Sequence, residues 1–485
     1  MLFIIRSSPK LGTSLVSISS LKVVQIRRQS TVTTGRQHGP PSLTPIGGVP
    51  GSRQGPIPKV VVNYLSRLST GSLLKNIILG VFLTTPLLFK PGFAVFEKIA
   101  NSNSGLCNPD KNPLIRALVR PLIYDHFCAG TNATEIKQTS SGIKRLGFSG
   151  IVLCYGKEVQ VSSESTFVGQ NLLEDAGLER EVAKWRDGNL ETLDMVEEGD
   201  WLGMKISGAG THITNSLLKG DEPPGEFIEA LDAICERAIA RGCRIWIDAE
   251  QQFLQPTIDA WTFPFMKKYN TGPQALIYST IQAYLKESRD KIEYQLQLSQ
   301  RENWRLGIKL VRGAYINNDM REKIHNTKAD TDASYNDIVK DLLSGGFPVF
   351  KTYESPNFDF LLAGHNSHTI RTAAQAALEL ATDSKLKVVP EFAQLQGMAD
   401  DIGCELLQMG DNIKKDGKFK GSTDFSLRVY KCLTWGSVQE CMQYLLRRLV
   451  ENRSASDRMG EGLSLYANEL KRRIANKLWR RQDLL

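Results

Sequence analysis

Ile308-Lys309-Leu310-Val311-Arg312-Gly313-Ala314-Tyr315 reads as a strand running into a Gly-Ala turn, and its end delivers two cations and a phenol to one place. From residue 113 onward the same alternation recurs. Short apolar β-type runs are followed by longer amphipathic segments, the pattern of βα units around a parallel sheet. The candidate strands are 150–154, 202–207, 244–249, 275–281, 307–312, 358–363, 388–392 and 428–433. Eight such units close naturally as a (βα)8 barrel of the α/β class, expected to be distorted, with 346–356 as an extra excursion.

Side-chain alternation then sorts the polar residues. In Trp201-Leu202-Gly203-Met204-Lys205-Ile206-Ser207, the residues Leu202, Met204 and Ile206 share one face, so Lys205 points into the barrel when that face meets the helices. Ile245 and Ile247 face outward by the same logic, which sends Asp248 inward. A buried lysine and a buried carboxylate each cost several kcal/mol unless paired. The two therefore form either one internal ion pair or part of a polar site at the barrel mouth, where barrel enzymes place catalysis.

Near the C-terminus, Tyr444-Leu445-Leu446-Arg447-Arg448-Leu449-Val450-Glu451-Asn452 reads as helix. Arg447 and Glu451 lie one turn apart, as do Tyr444 and Arg448, and the aliphatic residues take the other side. Two guanidinium forks suit a carboxylate held by parallel hydrogen bonds. A solvated face with one i,i+4 ion pair is the plainer alternative.

The net charge of +8 is concentrated at the front, because eleven Lys and Arg and no acid precede Glu97. The body is slightly acidic, which excludes a nucleic-acid footprint. The eight cysteines are scattered without a C-x-x-C pair and read as reduced thiols in a non-secreted protein. His365 and His368 lack further ligands at a suitable spacing, so no metal is expected. Residues 1–30 have the composition of a mitochondrial transit peptide, and 31–70 that of a flexible linker. Residues 71–112 form an apolar lead-in whose core, 76–89, is short for a spanning helix and interrupted by Pro86. It is expected either to lie in a membrane interface or to pack on the main domain, which occupies 113–485.

Two runs carry a family resemblance. Tyr444, Arg447, Arg448, Glu451 and Asn452 match the last barrel helix of flavin-dependent proline dehydrogenases, and Leu310-Val311-Arg312-Gly313-Ala314-Tyr315 resembles their strand-five hallmark. Asp248-Ala249-Glu250, Gln282-Ala283-Tyr284, Gly364-His365-Asn366 and 391–398 follow in the family's order. The resemblance implies a barrel that holds noncovalent FAD, with Asp248, Gln282, Lys309, Arg312, Gly313, Ala314, His365 and Asn366 around the cofactor. Lys309 stands where bacterial relatives carry arginine. Arg447 and Arg448 would clamp the carboxylate of L-proline with Lys205, while Glu158 and Glu451 pair with the arginines and Tyr315 and Leu395 wall the ring. Lys205, Asp248, Tyr315, Arg447 and Arg448 are the implied catalytic group. Cys432 takes the place of a tyrosine that covers the pocket edge in most proline-specific members; hydroxyproline oxidases of the family carry a small residue there.

The implied activity is oxidation of L-proline to 1-pyrroline-5-carboxylate, with electrons passed to a quinone, on the matrix side of the mitochondrial inner membrane. Hydroxyproline oxidation is the nearest rival. A Schiff-base aldolase using Lys205 or Lys309, and a binding protein without turnover, are more distant ones.

Overall fold

A computed structural model describes residues 64–156, 175–353, 357–416, 425–451 and 454–482; the side chains of 175–176, 450–451, 454–459 and 478–482 are outside that description. The expected transit peptide, most of the linker, and Glu158 and Asn452 lie outside the described residues. The tail of the expected linker is structured. Tyr64–Arg67 form a 3-10 turn with Leu65 buried, and Arg473 donates to the Leu65, Ser66 and Leu68 carbonyls.

Eight parallel strands close into a barrel in sequence order: β1 (Gly150–Tyr155), β2 (Trp201–Met204), β3 (Arg244–Ile247), β4 (Ile277–Gln282), β5 (Leu306–Val311), β6 (Phe358–Ala363), β7 (Glu391–Leu395) and β8 (Arg428–Trp435). Each expected strand overlaps an observed one. The largest displacement is at β7, which starts three residues later than expected. Pro390 has no N–H to give to the ladder, so pairing begins just after it.

Outward-facing Leu202, Ile245, Ile247, Ile308 and Phe392 pack against the helices, while Val152, Trp201, Trp246, Tyr278, Leu361 and Tyr430 fill the interior. At the N-terminal end the filling is ionic. Arg244 donates to both oxygens of Glu391 at 2.7 and 3.2 Å and to the Tyr430 hydroxyl at 2.8 Å, and its guanidinium lies 3.7 Å from the Trp201 ring centroid. A buried pair of this kind is tolerable because both carboxylate oxygens are engaged, with Arg428 adding a second cation to Glu391 at 3.2 Å.

The apolar lead-in becomes two helices, α1 (Thr70–Thr84) and α2 (Pro86–Ala100), bent by 99°. Pro86 fixes the break by removing a helical donor. Among the described residues no single helix is long and apolar enough to cross a membrane. The expectation of packing on the main domain holds for one side of α1. The inner side of α1 packs on the C-terminal helix Ser454–Gln482, with Leu73 buried and Asn76 donating to Asp400 at 3.2 Å. Leu74, Ile78 and Val81 on α1, and Leu87, Leu88 and Val95 on α2, are exposed.

Candidate active site

At the C-terminal ends of the strands the predicted polar residues converge. Asp248 follows β3 and accepts from Lys309 Nζ at 2.5 Å, and the same ammonium lies 3.7 Å from the centroid of the Trp246 ring. Asp248 thus pairs with Lys309, a partner that alternation within single strands could not supply because it lies two strands away. Lys205 follows β2 and faces another carboxylate, Glu250. Glu250 is buried and accepts from the Ser207 N–H at 3.0 Å; burial raises its carboxyl above the ordinary range against the pull of the Lys205 ammonium and that N–H.

Tyr315 ties the site together. Burial pushes its phenol up to about 12, and the charges it faces are Lys205, Glu250, Arg448 and Asp248, contributed by three different parts of the chain. Arg447 and Arg448 ride on the helix Val438–Glu451, whose opposite side buries Cys441, Met442 and Leu446. The start of that helix is fixed from outside the barrel, by Asp110 accepting from the Val438 and Gln439 N–H groups at 3.1 and 3.2 Å. Tyr124 adds a bond to the Gly436 carbonyl at 2.9 Å. Arg448 lies 5.4 Å from the Tyr444 ring centroid, the expected one-turn neighbour. Glu451 ends the helix, and its side chain lies outside the description.

A second set lines β4 to β7. Gln282 donates to the Glu250 carbonyl at 3.2 Å and accepts from the Ala314 N–H at 3.1 Å, so it braces the Gly-Ala turn. Gly313 has φ +150°, and a Cβ there would meet the Tyr284 ring at 2.5 Å. Only glycine suits that turn. Arg312 donates to Asp332 at 2.7 Å and Thr369 at 2.9 Å and stacks over Tyr335. His365 Nε2 accepts from the Leu395 N–H at 2.9 Å, which leaves Nδ1 to carry the proton of the neutral ring. Asn366 serves as the N-cap of the helix Ser367–Thr382 through the Thr369 N–H. Leu395 closes β7 on the interior side, and Cys432 sits opposite it in the β7–β8 register.

Sequence reading missed Glu250 as a member of the site, although it quoted the residue within a motif. Glu250 lies past the end of β3, where alternation no longer predicts direction. Trp246 was within reach of the argument used for Asp248, since the two share parity on one strand.

Fold and site together define a (βα)8-barrel protein with charged side chains of both signs gathered at the C-terminal ends of its strands. A family model described as proline dehydrogenase matches residues 155–461, and the chain belongs to that family. It is 36% identical over 257 residues to "Proline dehydrogenase 1, mitochondrial" of Caenorhabditis elegans, a match covering 50% of this chain and 37% of that protein. It is 30% identical over 403 residues to "Proline dehydrogenase 1, mitochondrial" of Arabidopsis thaliana, covering 74% and 76%. Against the first relatives it matches, the chain spans half their length or less. Among solved structures, proline utilization A from Bdellovibrio bacteriovorus, inactivated by N-propargylglycine, superposes with a TM-score of 0.57 at 17% identity. That match covers 82% of this chain and 42% of the other, and supports the barrel fold.

Proposed function

We propose that the chain is an FAD-dependent dehydrogenase that oxidises L-proline to 1-pyrroline-5-carboxylate, the first step of proline breakdown. The observation that carries this reading is the convergence of Lys205, Arg448, Asp248 and Glu250 on Tyr315. A small anionic ring compound needs this combination of fixed cations for its carboxylate and a phenol for its flank.

The residues present fit the cofactor. Arg312 and the Nδ1–H of His365 are donors held in place by other bonds, and Gly313 lets the backbone of the turn approach closely. Gln282, Lys309, Ala314, Asp248 and Asn366 complete the set that would hold it. When bound, FAD supplies the two-electron acceptor. The chain's own work is orientation. Arg447, Arg448 and Lys205 hold the carboxylate, which fixes the ring carbon next to nitrogen relative to the acceptor. Tyr315 and Leu395 wall the ring and exclude water. Proline entering as the free amine needs no strong general base.

Electrons then pass to a membrane quinone, with the protein on the matrix side of the mitochondrial inner membrane. The exposed apolar faces of α1 and α2, with the exposed Lys90 on α2, support contact with a bilayer interface. The deciding experiment adds L-proline anaerobically to the purified yellow protein. Bleaching of the flavin is expected; a spectrum unchanged by proline favours a binding protein without turnover.

A second reading, oxidation of hydroxyproline, is favoured by Cys432. The aromatic residues that could refill the pocket edge are engaged elsewhere: Tyr430 bonds to Arg244, and Trp435 stacks on Tyr155 at 4.9 Å and donates to Thr192 at 2.9 Å.

A further inference from the structure

We infer that Cys154 and Cys432 form a dithiol site at the barrel mouth that chelates trivalent arsenic. The two residues lie on the neighbouring strands β1 and β8, both side chains belong to the interior cluster, and their sulfurs are 3.9 Å apart. The space is built for them. A Cβ on Gly203 would stand 2.5 Å from Cys154 Sγ and 2.4 Å from Trp246 Nε1, so the glycine opens the volume in which thiol and indole meet. Cys154 is partly exposed and Cys432 is 8% exposed.

The ligand class follows from what the pair can and cannot do. A disulfide would draw the sulfurs to about 2.05 Å, against two strands fixed by a continuous ladder from Gly150 to Tyr155. The Cys432 contact and burial together hold the Cys154 thiol well above its ordinary range, which disfavours attack on peroxides or alkylating agents. Among the described residues no group of three or more His, Cys, Asp or Glu could hold a metal ion. Arsenous acid asks for less. It condenses with two protonated thiols: two As–O bonds break, two As–S bonds form, and the thiol protons leave in two molecules of water, with no change of oxidation state. A soft centre bridging the sulfurs leaves them near their present separation.

Sodium arsenite, added to the full-length protein as purified, tests this by mass spectrometry and peptide mapping. One arsenic per chain is expected, linking the Cys154 and Cys432 peptides, displaced by a dithiol but not by a monothiol, and absent from Cys154→Ser and from Cys432→Ser. Circular dichroism checks that both variants are folded. Retention of arsenic by both folded variants overturns the proposal, as does a wild type that takes up none. Capture by Cys128 and Cys441, which are 2% and 0% exposed, also overturns it. The effect on proline turnover rests on the reading given under Proposed function. Arsenic bound at this pair without loss of proline oxidation upholds the dithiol and removes Cys432 from the substrate pocket.

Discussion

Asp248 Oδ1 and Lys309 Nζ meet at 2.5 Å across β4, and the ammonium sits over the Trp246 ring. Lys309 is nearly enclosed while Asp248 keeps about a third of its side chain in solvent. The lysine therefore depends on the aspartate more than the reverse. Asp248→Ala is expected to cost about 3 kcal/mol, because it leaves a buried charge without its counter-ion. Thermal unfolding and flavin content of the purified variant check this; a Tm and a yellow colour equal to those of the natural protein would refute it.

Arg448→Lys keeps a charge and loses the planar fork. With the carboxylate held bidentately, about 2 kcal/mol of binding should disappear, which is roughly a 30-fold rise in KM for proline. The variant should remain folded and yellow. An unchanged KM would put the arginine pair away from the substrate.

Proline arrives largely protonated, and oxidation needs the free amine, so kcat/KM should climb with pH across the neutral range. Tyr315 adds nothing to this profile, because burial pushes it up to about 12 and it stays a neutral phenol throughout. Steady-state rates from about pH 6 to about pH 9 test the point. A flat profile counts against the free-amine requirement.

Under the proposed function Cys432 edges the substrate pocket, where a thiol in place of a phenol would leave room and remove a hydrogen-bonding group. Measurable turnover of trans-4-hydroxy-L-proline is expected, and Cys432→Tyr should shift the kcat/KM ratio toward proline. Equal refusal of hydroxyproline by both proteins would mean that another residue closes the pocket.

The ionic plug beneath the site makes a separate prediction. Arg244→Met takes the bidentate partner from Glu391, which is 5% exposed, and leaves it the half-exposed Arg428 at 3.2 Å and the Tyr430 hydroxyl; the change should cost about 3 kcal/mol. Arg244→Met with Glu391→Leu removes both charges, and much of that loss should return. Chemical denaturation of the single and double variants decides it. A double variant as unstable as the single would show that the pair is held by more than its own complementarity.

The sequence by itself determined the barrel and which strand ends carry charged side chains. Strand and helix periodicities are local, so eight βα units could be counted, and alternation alone aimed Lys205 and Asp248 inward. Which charge answers which was decided by tertiary structure. Asp248 found Lys309 two strands away, and Glu250, lying beyond its strand, came to face Lys205. The lead-in divides its two sides because a bend at Pro86 lays α1 on the C-terminal helix and α2 on the arginine helix. Tyr430 and Cys432 share a strand face, yet one is committed to Arg244 and the other to Cys154. Pairings between distant strands depend on closure and register, and these are properties of the whole barrel that no local stretch encodes.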